Sequence, residues 1–248
     1  MKNPWNRKPL AQATTKRVLI FDGDDTLWVT MPLYVRAKRK FFQLMRKEGY
    51  STQEVEAYFE ERDCSNLRTL GFSRRRFGLS MHQTYRHFAS LADKEVRKSV
   101  DQQIVAIRDQ VFDAHPKLVP FAKSVLQSLA SRNRLILLTK GTKTIQLQRV
   151  SSSGLSHFFE RIFVVKDKNN DTFRRLLENL KIRPSNTWSV GDSLRSDINP
   201  ALRGGLNAIW IPSSNWNYEN DVLLPDRRLH KIQSLKQVLP IVDRLATH

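Results

Sequence analysis

The sequence predicts an α/β fold, a doubly wound parallel sheet interrupted by a helical insertion. Three observations carry that expectation. Short apolar runs recur at 18–21, 134–138, 161–165, 187–190 and 207–211. After residue 116 they alternate with amphipathic helical stretches of roughly 10 to 15 residues, the pattern of a parallel sheet covered on both faces. Between the first and second runs, the segment 31–115 shows helical periodicity and no convincing strand.

Taken in order, Val18, Leu19, Ile20 and Phe21 are apolar at every position and run straight into Asp22, which suits a strand buried on both faces. Helical periodicity follows over 33–48, 51–61, 81–91 and 94–112, with 63–66 and 71–77 read as loop or turn. A helix over 119–130 precedes the strand 134–138. A second helix leads to the strand 161–165, and a third covers 171–180. Pro184 breaks the chain before the strand 187–190. A helix at 197–203, the strand 207–211 and a closing helix at 234–245 complete the order, with Pro240 expected to kink or shorten the last helix.

The resulting division is a basic flexible N-terminal arm at 1–16, a core formed by 17–30 with 116–248, and a helical domain at 31–115. At 248 residues the chain has room for a core plus such an insertion. No stretch reaches the roughly 18 apolar residues that would cross a bilayer, so no membrane partner is expected. The single cysteine, Cys64, excludes an internal disulfide and suits a reducing cytoplasm, the expected location. The net charge of +18 attracts anions as a class: nucleic acid, acidic lipid, phosphorylated metabolites. No run of five or six consecutive basic residues concentrates it.

Chemistry gathers where apolar runs end. Asp22, Asp24 and Asp25 place three carboxylates within four residues. Carboxylates so close repel one another, and a divalent cation relieves the repulsion; oxygen ligands favour Mg²⁺. Thr139, Lys140 and Gly141 follow the second run, where a hydroxyl and backbone N–H groups at a helix start can cradle a phosphate. Lys166 and Lys168 follow the third run. Gly191, Asp192, Ser193, Ser196 and Asp197 follow the fourth, again with acids beyond a strand end.

Ordered as Asp-x-Asp-x-Thr, then Thr, then Lys, then Gly-Asp-Ser-x-x-Ser-Asp, this set resembles the haloacid dehalogenase superfamily over residues 18–211. The resemblance implies a Rossmann-like core whose first and second motifs are separated by a helical cap domain. It also implies a phosphohydrolase. Asp22 would be the nucleophile and Asp24 the general acid and base, while Thr139 holds the phosphoryl oxygens and Lys168 offsets charge. Lys168 is preferred to Lys166 because Phe173 follows it five residues later, where relatives often carry an aromatic. Asp22, Asp192 and the backbone carbonyl of Asp24 would hold Mg²⁺, with Thr26 and Asp197 as outer partners. An acid at Asp24 argues for phosphate chemistry over dehalogenation, and a phosphomutase would share this core.

The expected substrate is a small phosphorylated metabolite, a nucleotide or sugar phosphate, bound by Thr139, Lys140 and Gly141. Among Arg74, Arg75 and Arg76, which also read as an exposed basic turn, Arg76 is the candidate for gripping a second anionic group. The alternative, resting on charge, is a phosphatase or binding protein acting on nucleic-acid ends. His82 and His87 lie five residues apart, the wrong spacing for paired ligands on one helix face, and read as packed or solvated. Trp210, Trp216 and Tyr218 read as core, or as a rim for an aromatic substrate.

Overall fold

The computed structural model describes residues 16–213, 217–219 and 221–244. The arm expected over 1–16 therefore lies, apart from Lys16, outside the described residues, as does Trp216. Two units are resolved, one from the described residues of Met1–Val29 and Pro116–His248, the other from Thr30–His115.

The first unit is built on a six-stranded sheet. Its strands are β1 (Val18–Phe21), β4 (Arg134–Lys140), β5 (Arg161–Val165), β6 (Thr187–Gly191), β7 (Asn207–Trp210) and β8 (Leu229–Lys231), while β2 (Trp28–Val29) and β3 (Lys117–Leu118) pair separately as an antiparallel ribbon. The spatial order is β5-β4-β1-β6-β7-β8, and every neighbouring pair is parallel. β1 lies in the interior of the sheet and feeds both faces. Leu19 and Phe21 join one apolar cluster with Leu126, Leu137 and Val190, whereas Val18 and Ile20 join another with Ile136, Phe163 and Phe173. Each such fully buried side chain contributes about 1.5–3 kcal/mol of transfer free energy.

The helices of this unit are α5 (Ala122–Ala130), α6 (Lys143–Ser152), α7 (Asn170–Leu180), α8 (Asn199–Arg203) and α9 (Val238–Arg244). The closing helix starts four residues later than expected. Ser234 and Gln237 form a capping box around a 3₁₀ turn, and Pro240 sits in the first turn of α9, where its missing N–H costs nothing. After β5 the chain moves to the far side of β1 to form β6. The crevice beyond the carboxyl ends of β4, β1 and β6 is thus the switch point where doubly wound sheets bind ligands.

The second unit contains α1 (Met31–Lys47), α2 (Thr52–Leu70), α3 (Arg74–Leu91) and α4 (Lys98–Phe112). Its core includes Phe41, Phe59, Phe77 and Tyr85. The turn expected at 63–66 is helical, because the polar residue that suggested it is buried: Asp63 accepts hydrogen bonds from Arg76 and Ser80 inside the unit. Only Gly71, Phe72 and Ser73 separate α2 from α3, and Ser73 caps α3 by accepting from the Arg76 N–H at 3.1 Å.

Arg76 is a correction to the expected substrate site. It is 0 % exposed, paired with Asp63 and flanked by the rings of Phe72 and Phe77. A guanidinium enclosed in this way holds the unit together rather than meeting a solvent-borne anion. His82 lies 2.7 Å from Asp101, and His87 stacks on Tyr58 with ring centroids 4.0 Å apart.

Candidate active site

Asp22 stands at the end of β1, its N–H donating to the Val190 carbonyl at 2.9 Å, so the sheet ladder itself fixes its backbone. The ammonium of Lys168, just before α7, reaches back to it. Lys168 Nζ lies 2.5 Å from Asp22 Oδ1 and 2.5 Å from Asp197 Oδ1, and donates to the Leu138 carbonyl at 3.3 Å. Asn169 caps α7 by accepting from the Thr172 N–H, and Phe173 is buried, so the turn carrying Lys168 is held at both ends. Lys166 is exposed.

Asp197 belongs to a π-helical turn, Leu194–Ile198, capped by the Ser193 hydroxyl. Its Oδ2 accepts from the Ser193 N–H at 3.1 Å. Gly191 makes room for it: a Cβ there would lie 2.4 Å from Asp197 Cγ. The space beside this glycine is thus taken by a carboxylate of the same loop. Asp192 accepts from Ser213 Oγ at 2.7 Å and, more weakly, from Thr26 Oγ1 at 3.4 Å.

Asp22, Asp192 and Asp197 each offer an oxygen within 4.8 Å of one another, and all three are buried. Burial raises the Asp22 carboxyl well above the ordinary value; Lys168 opposes this, and Asp197 and Asp192 add to it. Burial, again with Asp197, raises Asp192 to about 7. Burial also works against the charge on Lys168, but the two carboxylates beside it outweigh that and raise its pKa. The three acids crowd negative charge into one buried place, and the Lys168 ammonium meets two of them, Asp22 and Asp197. A hard divalent cation is the natural complement to an all-oxygen site of that charge.

The carboxylate of Asp24 is not in this group. It accepts from Trp28 Nε1 at 2.7 Å, Gln146 Nε2 at 2.9 Å and Arg149 Nη1 at 2.7 Å. Thr139 is buried within β4, and among the described residues its hydroxyl has no hydrogen-bond partner. The Gly141 N–H is taken by the Val165 carbonyl at 2.9 Å, which removes it from the expected phosphate cradle. Lys140 likewise points elsewhere, to Glu219 at 2.5 Å and Ser196 at 2.6 Å.

Sequence reasoning missed Gln146, Arg149, Ser213 and Glu219. None lies in a motif; Ser213 follows β7 without an acid or lysine to mark it, and the others reach the site through pairing across the fold. Trp210 donates to the Asp192 carbonyl at 2.9 Å, and Tyr218 lies under the Arg195 guanidinium at 4.3 Å.

The family model described as haloacid dehalogenase-like hydrolase matches residues 16–205. A glyceraldehyde 3-phosphate phosphatase of Methanopyrus kandleri is 25 % identical over 93 % of this chain and 98 % of its own length. The 5-amino-6-(5-phospho-D-ribitylamino)uracil phosphatase of Escherichia coli is 21 % identical over 89 % of this chain and 95 % of its own. Among solved structures, a haloacid dehalogenase-like family hydrolase from Xanthomonas campestris superposes with a TM-score of 0.81 at 25 % identity, covering 96 % of this chain and 97 % of that one.

Proposed function

The chain belongs to the haloacid dehalogenase-like hydrolases, and we propose that it is a Mg²⁺-dependent phosphomonoesterase working through an aspartyl-phosphate on Asp22. The observation that carries this reading is the buried group of Asp22, Asp192 and Asp197, with the Lys168 ammonium bonded to Asp22 and Asp197.

In the first half-reaction, an Asp22 carboxylate oxygen forms a bond to phosphorus while the ester P–O bond breaks, and Asp24 donates a proton to the departing oxygen. In the second, water attacks the same phosphorus and gives its proton to Asp24. The acyl phosphate then breaks to free inorganic phosphate and restore Asp22. The Thr139 hydroxyl, without a partner among the described residues, suits a phosphoryl oxygen, and Lys168 holds Asp22 in line while balancing its charge. Asp22, Asp192 and the Asp24 carbonyl would hold Mg²⁺, which when bound supplies electrostatic stabilisation of the transferring group.

The helical unit of Thr30–His115 is inserted in sequence where relatives carry a cap, and we assign it that role. The two relatives named above act, by their names, on different small phosphorylated compounds. That favours a metabolite substrate without choosing one. The alternative of nucleic-acid ends draws on the net charge of +18 and on α1, which carries six Lys/Arg and no acid.

The reading is tested by phosphate release from a panel of phosphorylated metabolites and 3′- or 5′-phosphorylated oligonucleotides, with and without Mg²⁺. Release from a few small molecules, abolished by Asp22→Asn, is expected. Release from oligonucleotides alone would move the assignment to the alternative, and turnover retained by Asp22→Asn would end it.

A further inference from the structure

Asp24 is the least enclosed of the acids in the proposed mechanism: its side chain is 29 % exposed, and packing alone does not fix its two rotatable bonds. Three hydrogen bonds do so instead. Trp28 Nε1 donates to Oδ1 from within the same loop. Arg149 Nη1 and Gln146 Nε2 both donate to Oδ2, from 125 and 122 residues away. Gln146 and Arg149 are three positions apart on α6 and so share one helix face. Both are buried, and Gln146 Nε2 also lies 3.1 Å from the Lys140 carbonyl, tying α6 to the end of β4.

A carboxylate oxygen has two lone-pair sites. Oδ2 fills both with Arg149 and Gln146, whereas Oδ1 fills one with Trp28 and keeps one. From this we infer that Arg149 and Gln146 are positioning residues: they saturate Oδ2 and so present Oδ1 as the oxygen that gives and takes the travelling proton. The inference rests on the acid–base role proposed above for Asp24. Because α6 follows directly on β4, the same two elements set the Thr139 hydroxyl and the aim of Asp24. Neither residue touches substrate in this account. They act through Asp24.

Leaving groups separate the positioning role from a structural one. kcat/KM covers the steps up to phosphoryl transfer to Asp22, so it is independent of the later hydrolysis. p-Nitrophenol leaves readily without a proton; the alcohol of glycerol 2-phosphate needs one. For Arg149→Ala and Gln146→Ala, the ratio of kcat/KM for p-nitrophenyl phosphate to that for glycerol 2-phosphate is expected to rise on the order of 10²-fold, the scale of one lost general acid. Arg149→Lys, which keeps one donor, is expected to fall between wild type and Arg149→Ala.

Asp24→Asn serves as the reference. If it shifts the ratio while all three variants of Arg149 and Gln146 lower both rates equally or leave both unchanged, the inference is wrong and the role of Asp24 stands. If Asp24→Asn itself leaves the ratio unmoved, the acid–base reading fails and takes the inference with it. Should Arg149→Ala not fold, Gln146→Ala and Arg149→Lys decide the question.

Discussion

Glu219 accepts from the ammonium of Lys140 at 2.5 Å, joining two residues 79 positions apart. The same carboxylate accepts from Ser193 at 2.7 Å and Ser196 at 2.8 Å, so one side chain ties the end of β4 to the turn after β6. Burial works against its charge, but Lys140 and the two hydroxyls outweigh that and hold its pKa below the ordinary 4.5. A glutamate whose folded pKa is depressed stabilises the fold above its unfolded pKa, and loses that contribution as pH falls through the folded value. Glu219→Gln is therefore expected to cost about 3–5 kcal/mol at pH 7, the scale of a broken buried pair. In urea titrations the gap between variant and wild type should close below pH 4.5. A gap that stays constant down to pH 3 would contradict the pairing.

Arg76 makes a parallel case in the helical unit. Burial raises the pKa of Asp63, with Arg76 and Ser80 opposing, so the carboxylate depends on its partners to remain charged. Arg76→Ala leaves that carboxylate enclosed, and a loss of about 3–5 kcal/mol is expected. Arg75→Ala, at an exposed position, should stay within about 0.5 kcal/mol of wild type. Equal effects of the two substitutions on Tm would return Arg76 to the surface role suggested by its sequence.

The strands were the most legible part of the fold. Each apolar run beside an acid or a Thr became a strand of the parallel sheet, because a strand covered on both faces must be apolar at nearly every position. β8 was missed for the opposite reason: Leu229, His230 and Lys231 are too few and too polar to stand out at a sheet edge. Asp63 looked like a helix break because an isolated acid in a sequence gives no sign of a buried arginine 13 residues later. Asp22, Thr139, Lys168 and Asp192 stood out because strand ends are recognisable and gather in one crevice. Gln146, Arg149, Ser213 and Glu219 did not, since their significance lies in pairings that only the folded chain creates. Nor does the sequence show that the Gly141 N–H and the Lys140 ammonium, both expected at a phosphate cradle, are engaged by Val165, Ser196 and Glu219.

Gly191 gives a sharper test of how the site is held. An added Cβ would meet the Asp197 carboxylate at 2.4 Å and push it away from Lys168. Gly191→Ala is expected to lower kcat by at least about 10²-fold, the usual cost of a displacement near 1 Å. Circular dichroism should remain that of the wild type. Activity within a few-fold of wild type would mean that Asp197 can move without consequence.

Metal dependence carries a sign. Asp22, Asp192 and Asp197 crowd negative charge that a bound cation would relieve. Saturating Mg²⁺, at about 100 times its Kd, is expected to stabilise the wild type by about 2.7 kcal/mol. Asp192→Asn should lose most of that gain, yet without Mg²⁺ it should be at least as stable as the wild type, since one repelling charge is gone. A variant destabilised without metal but responding fully to Mg²⁺ would show that Asp192 is structural.

The central claim, that Asp22 is the nucleophile, is tested most directly by trapping the intermediate. The enzyme is quenched in acid during turnover of its best substrate, and its peptides are mapped by mass spectrometry. A single phosphoryl adduct on Asp22, lost on treatment with neutral hydroxylamine and absent from Asp22→Asn, is the result this account predicts. An adduct on another residue, or sustained turnover with Asp22 never modified, would contradict it.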